Sequence, residues 1–252
     1  MNKQQVIYKD LGVIDYKSAW DYQEELVQQN RELKTEARKQ AMSYELQAAS
    51  NIEHPPATIN YKLQTTNYLL FCEHPPVYTL GKSGSMQNVL LSEQEMDEKE
   101  IEFFKTNRGG DITFHGLQQV VGYPILDLEN FYTDIGRYLR ELEEVIIKTI
   151  AEYGLHGERS KGETGVWLEP DAKGREKKIC AMGIRCSRWI TMHGFALNVN
   201  TDLSYFENII PCGIQNKQVT SMEKELNKKV DIEEVKQKLK NNFAAIFNAE
   251  II

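Results

Sequence analysis

Two stretches of this chain carry residues that could make and break an acyl bond. Pro211-Cys212-Gly213, between Ile210 and Ile214, places a thiol in a turn that proline and glycine make sharp. Such a turn can hold a sulfur at the mouth of a pocket; it can equally be a tight corner filled by a small side chain. A free thiol has a pKa near 8.5, so only a few per cent is thiolate at neutral pH. A neighbouring ammonium would stabilise the thiolate and could shuttle a proton to and from a leaving sulfur. Lys178 is the candidate, opening the apolar run Ile179-Cys180-Ala181-Met182-Gly183-Ile184. A strand apolar on both faces puts its first residue near the core, where lysine is rare unless paired or functional. The alternative is an exposed strand end beside Lys177, with the ammonium reaching solvent. If Lys178 and Cys212 meet in space, the cysteine becomes an acyl-carrying nucleophile.

Cys180 lies two residues from Lys178, which on a strand means the same face, so it is a rival nucleophile. A mid-strand cysteine is more often inert packing. Cys72 and Cys186 have no activating neighbour and read as structural. Arg108-Gly109-Gly110 reads either as a plain turn or as a backbone that can approach a ligand closely and bind an anionic group or a carbonyl oxygen. His115 and His193 each read either as a donor in a pocket wall or as a histidine satisfied by its own strand end. His54, His74 and His156 fall in loops and take no role. Five histidines without H-x-x-x-H or H-x-H spacing predict no metal site.

The chain has 252 residues, which fits one large α/β domain or two small ones, and its 41% hydrophobic composition can bury a proper core. A net charge of −7 argues against general nucleic-acid binding. Four cysteines without a C-x-x-C pair fit free thiols in a reducing cytosol. The first residues lack the apolar core of a signal peptide, and no apolar run approaches the roughly 20 residues of a membrane span. A soluble cytoplasmic protein is expected. Between Arg159 and Arg188, eight basic residues face four acidic ones, a local excess that suggests docking to an acidic partner or a solvated loop of mixed charge.

The elements that must position these residues follow from periodicity and punctuation. Residues 6–14 read as a strand; Asp15 then caps a helix with Trp20, Leu26, Leu33, Ala37, Ala41 and Leu46 at helical spacing. About 31–64 the chain turns polar and reads as a surface insertion, in which Glu53-His54-Pro55-Pro56 pre-echoes Glu73-His74-Pro75-Pro76. Strands are predicted at 68–72, 77–80 and 101–106, with a capping box at Ser92 and Glu95 opening a short acidic helix. Residues 112–114 and 119–125 read as a strand pair around His115-Gly116. A helix from Thr133 or Asp134 shows the stripe Ile135, Leu139, Leu142, Ile146, Ile150 and Tyr153, and Gly154 ends it. Strands follow at 165–168 and 178–184, then a hairpin of 189–192 with 193–199. Asp202 caps a short helix, and Asp231 opens a last one with Val235, Leu239, Phe243 and Ile246 inward. Clustered strands with few helices predict an α+β fold with a mixed sheet packed on one side, not a doubly wound parallel sheet.

Several motifs in order resemble one family. RGGDITFHG (108–116), KKICAMGIR (177–185), HGFALNVNTDL (193–203) and PCGI (211–214), with EHPPVYTLGKSG (73–84), resemble the lipoyl(octanoyl) transferases from about Leu69 to Met222, and more loosely back to Val6. The resemblance implies the α/β fold of biotin and lipoate protein ligases in a single catalytic domain over 1–252. It implies octanoyl transfer from octanoyl-acyl carrier protein to one lysine of a lipoyl domain, in 2-oxo-acid dehydrogenase E2 subunits or the glycine cleavage H protein, with no cofactor. It makes Cys212 the nucleophile and Lys178 its partner. The substrate-contacting stretches of the family fall on Arg108, Gly109, Gly110, Asp111, Ile112, Thr113, Phe114 and His115, on Ala181, Met182 and Gly183, and on Gly194, Phe195 and Ala196. Backbone donors near 108–110 or 181–183 are expected to bind the oxyanion.

The chain departs from the pattern at three places. The usual H-G-x-G-Q reads His115-Gly116-Leu117-Gln118-Gln119, an alanine of the lysine strand is Cys180, and the 31–64 insertion is longer than usual. Three other activities share some of these features. They are an ATP-dependent lipoate or biotin ligase, which needs a nucleotide site, a non-catalytic acyl-carrier binder, and a thioesterase.

Overall fold

The computed structural model describes residues 3–50, 65–170, 175–210 and 218–252, with backbone alone at 44–50. The strands of the main sheet are β1 (Gln4–Val13), β2 (Asn67–Glu73), β6 (Gln119–Ile125), β7 (Val166–Leu168), β8 (Lys177–Ser187), β9 (Ile190–Asn198), β10 (Gln218–Val219) and β11 (Ala249–Ile251). Their order is β10-β8-β9-β6-β2-β1-β11, with β7 on the side of β8. A smaller sheet, β4-β3-β5, holds β3 (Val77–Leu80), β4 (Glu102–Lys105) and β5 (Ile112–His115). The helices are α1 (Tyr16–Ser50), α2 (Glu93–Glu98), α3 (Ile135–Ala151), α4 (Met222–Leu226) and α5 (Ile232–Ile246). The central pairs β2–β6, β6–β9 and β9–β8 are antiparallel, and β1–β2 and β10–β8 are parallel. The predicted mixed α/β sheet is present.

Both faces of that sheet are covered, where one-sided packing was expected. Successive residues of β2 point to opposite faces. Leu69 and Phe71 pack with Leu142 and Ile146 of α3 and Leu239 and Phe243 of α5. Leu70 and Cys72 pack with Ala19, Leu26 and Val27 of α1. Sequence counting undervalues α1 because its polar outer half hides a helix that runs unbroken to Ser50. The polar stretch predicted as an insertion from residue 31 is, as far as residue 50, a continuation of this helix. Residues 51–64 lie outside the described residues.

Three local expectations change. Strands β5 and β6 do not pair: β5 pairs β3, and β6 pairs β2 and β9. The link between them passes through Gln118 in a left-handed conformation (φ 61), which turns the chain from one sheet to the other. The hairpin predicted within 189–199 is instead β8 with β9, closed by Arg188 (φ 51) and Trp189 (φ 67). Two consecutive left-handed residues match the natural twist of a tight hairpin. In α3, Asp134 is the N-cap, but Ile135 is exposed and Tyr138 and Val145 take buried positions of the stripe. The capping box of Ser92 and Glu95, the cap at Asp202 and the cap at Asp231 form as expected.

A buried charge pair fixes α1. Lys34 Nζ donates to Asp127 Oδ1 (2.7 Å) and to the Arg188 carbonyl (2.9 Å), and it lies 2.8 Å from Glu129 Oε2. The side chains of Lys34 and Asp127 are 3% and 0% exposed. Removing one partner strands the other charge out of water, which costs far more than a surface pair contributes. Lys34→Ala is therefore expected to lower unfolding free energy by about 3 kcal/mol, measured by urea denaturation. Lys39→Ala, which removes an exposed 4.0 Å pair with Glu36, is expected to change it by less than about 0.5 kcal/mol.

Candidate active site

A cavity lies between the α1-facing side of the main sheet and the small sheet. Its floor is built on three adjacent strands: Gln119, Val121 and Tyr123 of β6, Asn198, Ala196 and Gly194 of β9, and Ala181 and Gly183 of β8. Val121, Ala196 and Ala181 form one cross-strand row, and Gly183 lies opposite Gly194. The middle of the floor is thus apolar and low. Its roof is Arg108, Gly110, Asp111, Ile112, Thr113 and His115. The roof can come close because Gly183 has no side chain: a Cβ there would sit 2.6 Å from the Gly109 carbonyl oxygen. Met182 and Phe195 also line it, with Tyr16 from the first turn of α1.

Lys178 lines one end of this slot. It is half-buried, with its ammonium 4.5 Å from the centre of the buried Trp167 ring, a cation–π contact. Val219 of β10 is its register partner. The predicted common face of Lys178 and Cys180 does not hold as a catalytic arrangement. The β7–β8 register slips between Val166 and Trp167, which breaks the two-residue alternation at this point. Cys180 is fully buried in the core under α3 and does not line the cavity. Burial pushes its thiol far above the usual range, against a smaller lowering by a backbone hydrogen bond and by Lys178. Cys180 is packing, not a nucleophile. Cys72 is equally buried, its thiol raised by the same cause.

Cys212, with the rest of Pro211-Cys212-Gly213-Ile214, lies outside the described residues. Its flanks are placed. Ile210 N donates to the Asn88 carbonyl (2.8 Å), and the chain is described again at Gln218, where β10 runs beside Lys177 and Lys178.

Arg108 and the loop it opens act as a brace. The guanidinium is buried and donates through Nη2 to Thr79 Oγ1 (2.9 Å) and through Nη1 to the Gly109 carbonyl (3.0 Å). Gly109 N donates to the Ile184 carbonyl (2.9 Å), so that N–H is not available to an oxyanion. Gly109 does not line the cavity, and neither does Phe114, which stacks on Tyr205 at 4.5 Å behind the roof.

The polar end of the floor is a linked set. Gln119 Nε2 donates to Asn198 Oδ1 (2.8 Å), and Asn198 Nδ2 donates to the Thr220 carbonyl (3.0 Å). Gln119 Oε1 therefore accepts from His115 Nδ1–H (2.9 Å), which leaves His115 Nε2 to accept from Thr79 Oγ1 (3.3 Å). His115 is a wall histidine held by side chains, neither free nor satisfied by its own strand end. Asn198 could have been found from the alternation Gly194, Ala196, Asn198; Tyr16, which stacks on His115 with centroids 5.9 Å apart, gives no sequence signal. His74, given no role, is buried and accepts from Tyr123 O–H at 2.8 Å, so it supports the floor from behind.

Several charges of the basic stretch 159–188 are paired within the chain. Arg159 pairs with Glu143 and Glu144, Lys177 with Glu225, Arg185 with Glu24, and Arg175 lies 3.8 Å from Glu169. Lys173 lies outside the described residues. Among those described, no group of three or more His, Cys, Asp or Glu could hold a metal, and no helix is long and apolar enough to cross a membrane.

An apolar slot walled by two sheets, with glycines at the roof contact and a lysine at one end, sits in a fold shared with lipoate protein ligases. The chain superposes on a bi-partite lipoate protein ligase from Thermoplasma acidophilum with a TM-score of 0.61 at 15% identity, covering 100% of this chain and 88% of the other. It matches a lipoate-protein ligase A bound with ATP at 0.61 and 14%, covering 100% and 90%. The chain belongs to the family of the lipoyl protein ligase A/B catalytic domain, whose profile matches residues 15–244. It is 55% identical to an octanoyltransferase of Flavobacterium johnsoniae over all of both chains. It is 53% identical to an octanoyltransferase of Christiangramia forsetii, covering 100% of this chain and 99% of that one. Gln118, where the family pattern has glycine, is one of the left-handed residues, so the glycine preference has a backbone cause.

The three buried histidines are held neutral. Burial lowers His74 to about 4 and His193 to about 3, and it depresses His115 well below 6.5, helped by the Arg108 guanidinium. Unfolded histidine titrates near 6.5, so between those limits the unfolded chain binds more protons. Stability is complete above about pH 6.5 and falls as pH drops, by up to about 1.4 kcal/mol per pH unit for each histidine. Urea midpoints at pH 7.5, 6.0 and 5.0 should decrease in that order, and His74→Gln should flatten the dependence.

Proposed function

We propose that this chain takes octanoyl from the phosphopantetheine thioester of octanoyl-acyl carrier protein, holds it as a thioester on Cys212, and passes it to one lysine of a lipoyl domain. The acceptors are lipoyl domains of 2-oxo-acid dehydrogenase E2 subunits and the glycine cleavage H protein, and the reaction belongs to lipoate biosynthesis in the cytoplasm. The observation that carries the reading is Lys178 at the end of an apolar slot, beside the strand Gln218–Val219, which follows Cys212 by a few residues in the sequence. Full-length identity to octanoyltransferases supports the same acyl group and the same reaction class.

The steps balance without an added cofactor. With the Lys178 ammonium close to Cys212, the sulfur is kept as thiolate. The thiolate attacks the carrier thioester carbonyl. The tetrahedral adduct collapses by breaking the bond to the pantetheine sulfur, which takes a proton from Lys178. The enzyme thioester is close in energy to the one broken, so no ATP is consumed. The target lysine's amine then attacks; its proton passes to neutral Lys178, an amide forms, and Cys212 leaves as thiolate. The alkyl chain lies along Ala181, Gly183, Gly194, Ala196 and Val121. At about 0.8 kcal/mol per buried methylene, that contact contributes several kcal/mol to holding the acyl group.

Enzyme mixed with octanoyl-acyl carrier protein, without ATP or lipoyl domain, is expected to gain one octanoyl group on the peptide containing Cys212 by mass spectrometry. Cys212→Ser is expected to abolish transfer to a lipoyl domain, and Lys178→Met to slow it by about 10²–10⁴-fold. Octanoyl on Cys180, or attachment of free octanoate only with ATP, would overturn the reading.

A further inference from the structure

Two consecutive core residues separate Lys178 from the rest of the cavity floor on β8. Ile179 and Cys180 are both fully buried under α3, while Lys178 and Ala181 line the cavity. Strict alternation would not place two neighbours in one core. The cause lies in the pairing with β7. Val166 pairs with Cys180 and Trp167 with Lys178, so Ile179 has no opposite residue on β7 and is the extra residue of a β-bulge. An unbroken register would place Leu168, not Trp167, opposite Lys178. Val166 and Leu168 pack in the core under α3, and Trp167, between them, does not. Directly opposite residues of an antiparallel pair put their side chains on one face, so the bulge sets the indole beside the lysine.

The indole is fixed independently of the lysine. It is buried, and its backbone is paired on the far edge of β7: Trp167 N donates to the Glu158 carbonyl (2.9 Å) and Glu158 N to the Trp167 carbonyl (2.8 Å). The Lys178 backbone is held too, its carbonyl accepting from Thr220 N (3.0 Å). What remains to be placed is the flexible tip of the lysine side chain, and the Lys178 ammonium lies 4.5 Å from the centre of the indole ring. Trp167 does not line the cavity, so any effect it has on the reaction passes through its neighbour.

We infer that Trp167 is a positioning residue for Lys178: the bulge at Ile179 brings an indole face against the ammonium and holds it at the end of the slot. The inference rests on the reading above, in which Lys178 moves the proton. Among aromatic rings, indole attracts a cation most strongly, and the attraction grows where water is excluded. A carboxylate in its place would hold the ammonium by a strong charged hydrogen bond and compete with a reacting sulfur for its protons. An aliphatic wall would give the charge nothing in exchange for lost water. A π face fixes the position of the cation and leaves its proton transferable.

A double-mutant cycle separates positioning from packing. The rate measured is octanoyl transfer from octanoyl-acyl carrier protein to a lipoyl domain by the full chain. Trp167→Leu removes the face and keeps an apolar side chain; it is expected to lower kcat about tenfold and to leave KM for the carrier within about twofold. Trp167→Phe keeps a face and is expected to lose about threefold or less. In a Lys178→Met background, Trp167→Leu is expected to change the residual rate by less than about twofold. Equal losses in the two backgrounds, or equal losses in the Leu and Phe variants, overturn the inference. A measurement that needs no change at Trp167 is the proton–carbon NMR spectrum of protein labelled at lysine Cε. The Lys178 signal, identified by its loss in Lys178→Met, is expected upfield of an unstacked lysine, because the ring current of the indole shields what lies over its face. An unshifted signal overturns the contact. Transfer by Lys178→Met at the wild-type rate would instead overturn the proposed function, whereas loss of transfer there with a wild-type rate in Trp167→Leu overturns only the role of Trp167.

Discussion

The structure depends on one run of buried hydrogen bonds, from Thr79 through His115, Gln119 and Asn198 to the Thr220 carbonyl. Thr79 and His115 belong to the small sheet, Gln119 and Asn198 to the large one, and Thr220 directly follows the strand beside Lys178. Roof, floor and lysine end are therefore located by a single chain of donors and acceptors. In a buried setting each missing link would leave a polar atom without water, so the run holds as a unit. Apolar packing alone would let the two sheets slide; directional bonds fix their separation.

The same interior keeps charge scarce. The histidines that wall the cavity are neutral because burial and nearby guanidinium groups both oppose protonation. Arg108 spends donors on Thr79 and Gly109. At the other end, the ammonium of Lys178 rests against the Trp167 face, a partner that attracts a cation without neutralising it. A charged tip at one end of an apolar slot suits an acyl thioester, whose reactive carbon is polar and whose tail is not.

Much of this was legible in the sequence wherever a local rule decides. The bounds of β3, the capping box at Ser92 and the caps at Asp134, Asp202 and Asp231 follow from turn and cap chemistry within a few residues. Lys178 was legible as an odd residue at the head of an apolar strand. What failed was decided by distant partners. Nothing near Ile112 or Gln119 says that the two strands join different sheets, because their register is set by β3 and by β2 with β9. Cys180 shares a face with Lys178 in an ideal strand, and only the slip against β7 separates them. Tyr16 enters the cavity because α1 crosses the sheet, and that crossing is held by Lys34 and Asp127, 93 positions apart. Motifs found the cavity's lining better than periodicity did, since they record the outcome of packing that single-chain periodicity cannot see.

Gln118 carries a consequence for how molecules get in. Its N–H donates to Glu73 Oε2 (2.6 Å), and its carbonyl accepts from Asn200 N and Thr201 Oγ1. The short link between the sheets is thus riveted on both sides, at a residue whose backbone is already bent the hard way. Such a crossing makes a poor hinge between the two walls, which favours entry of a greasy tail lengthwise, end first.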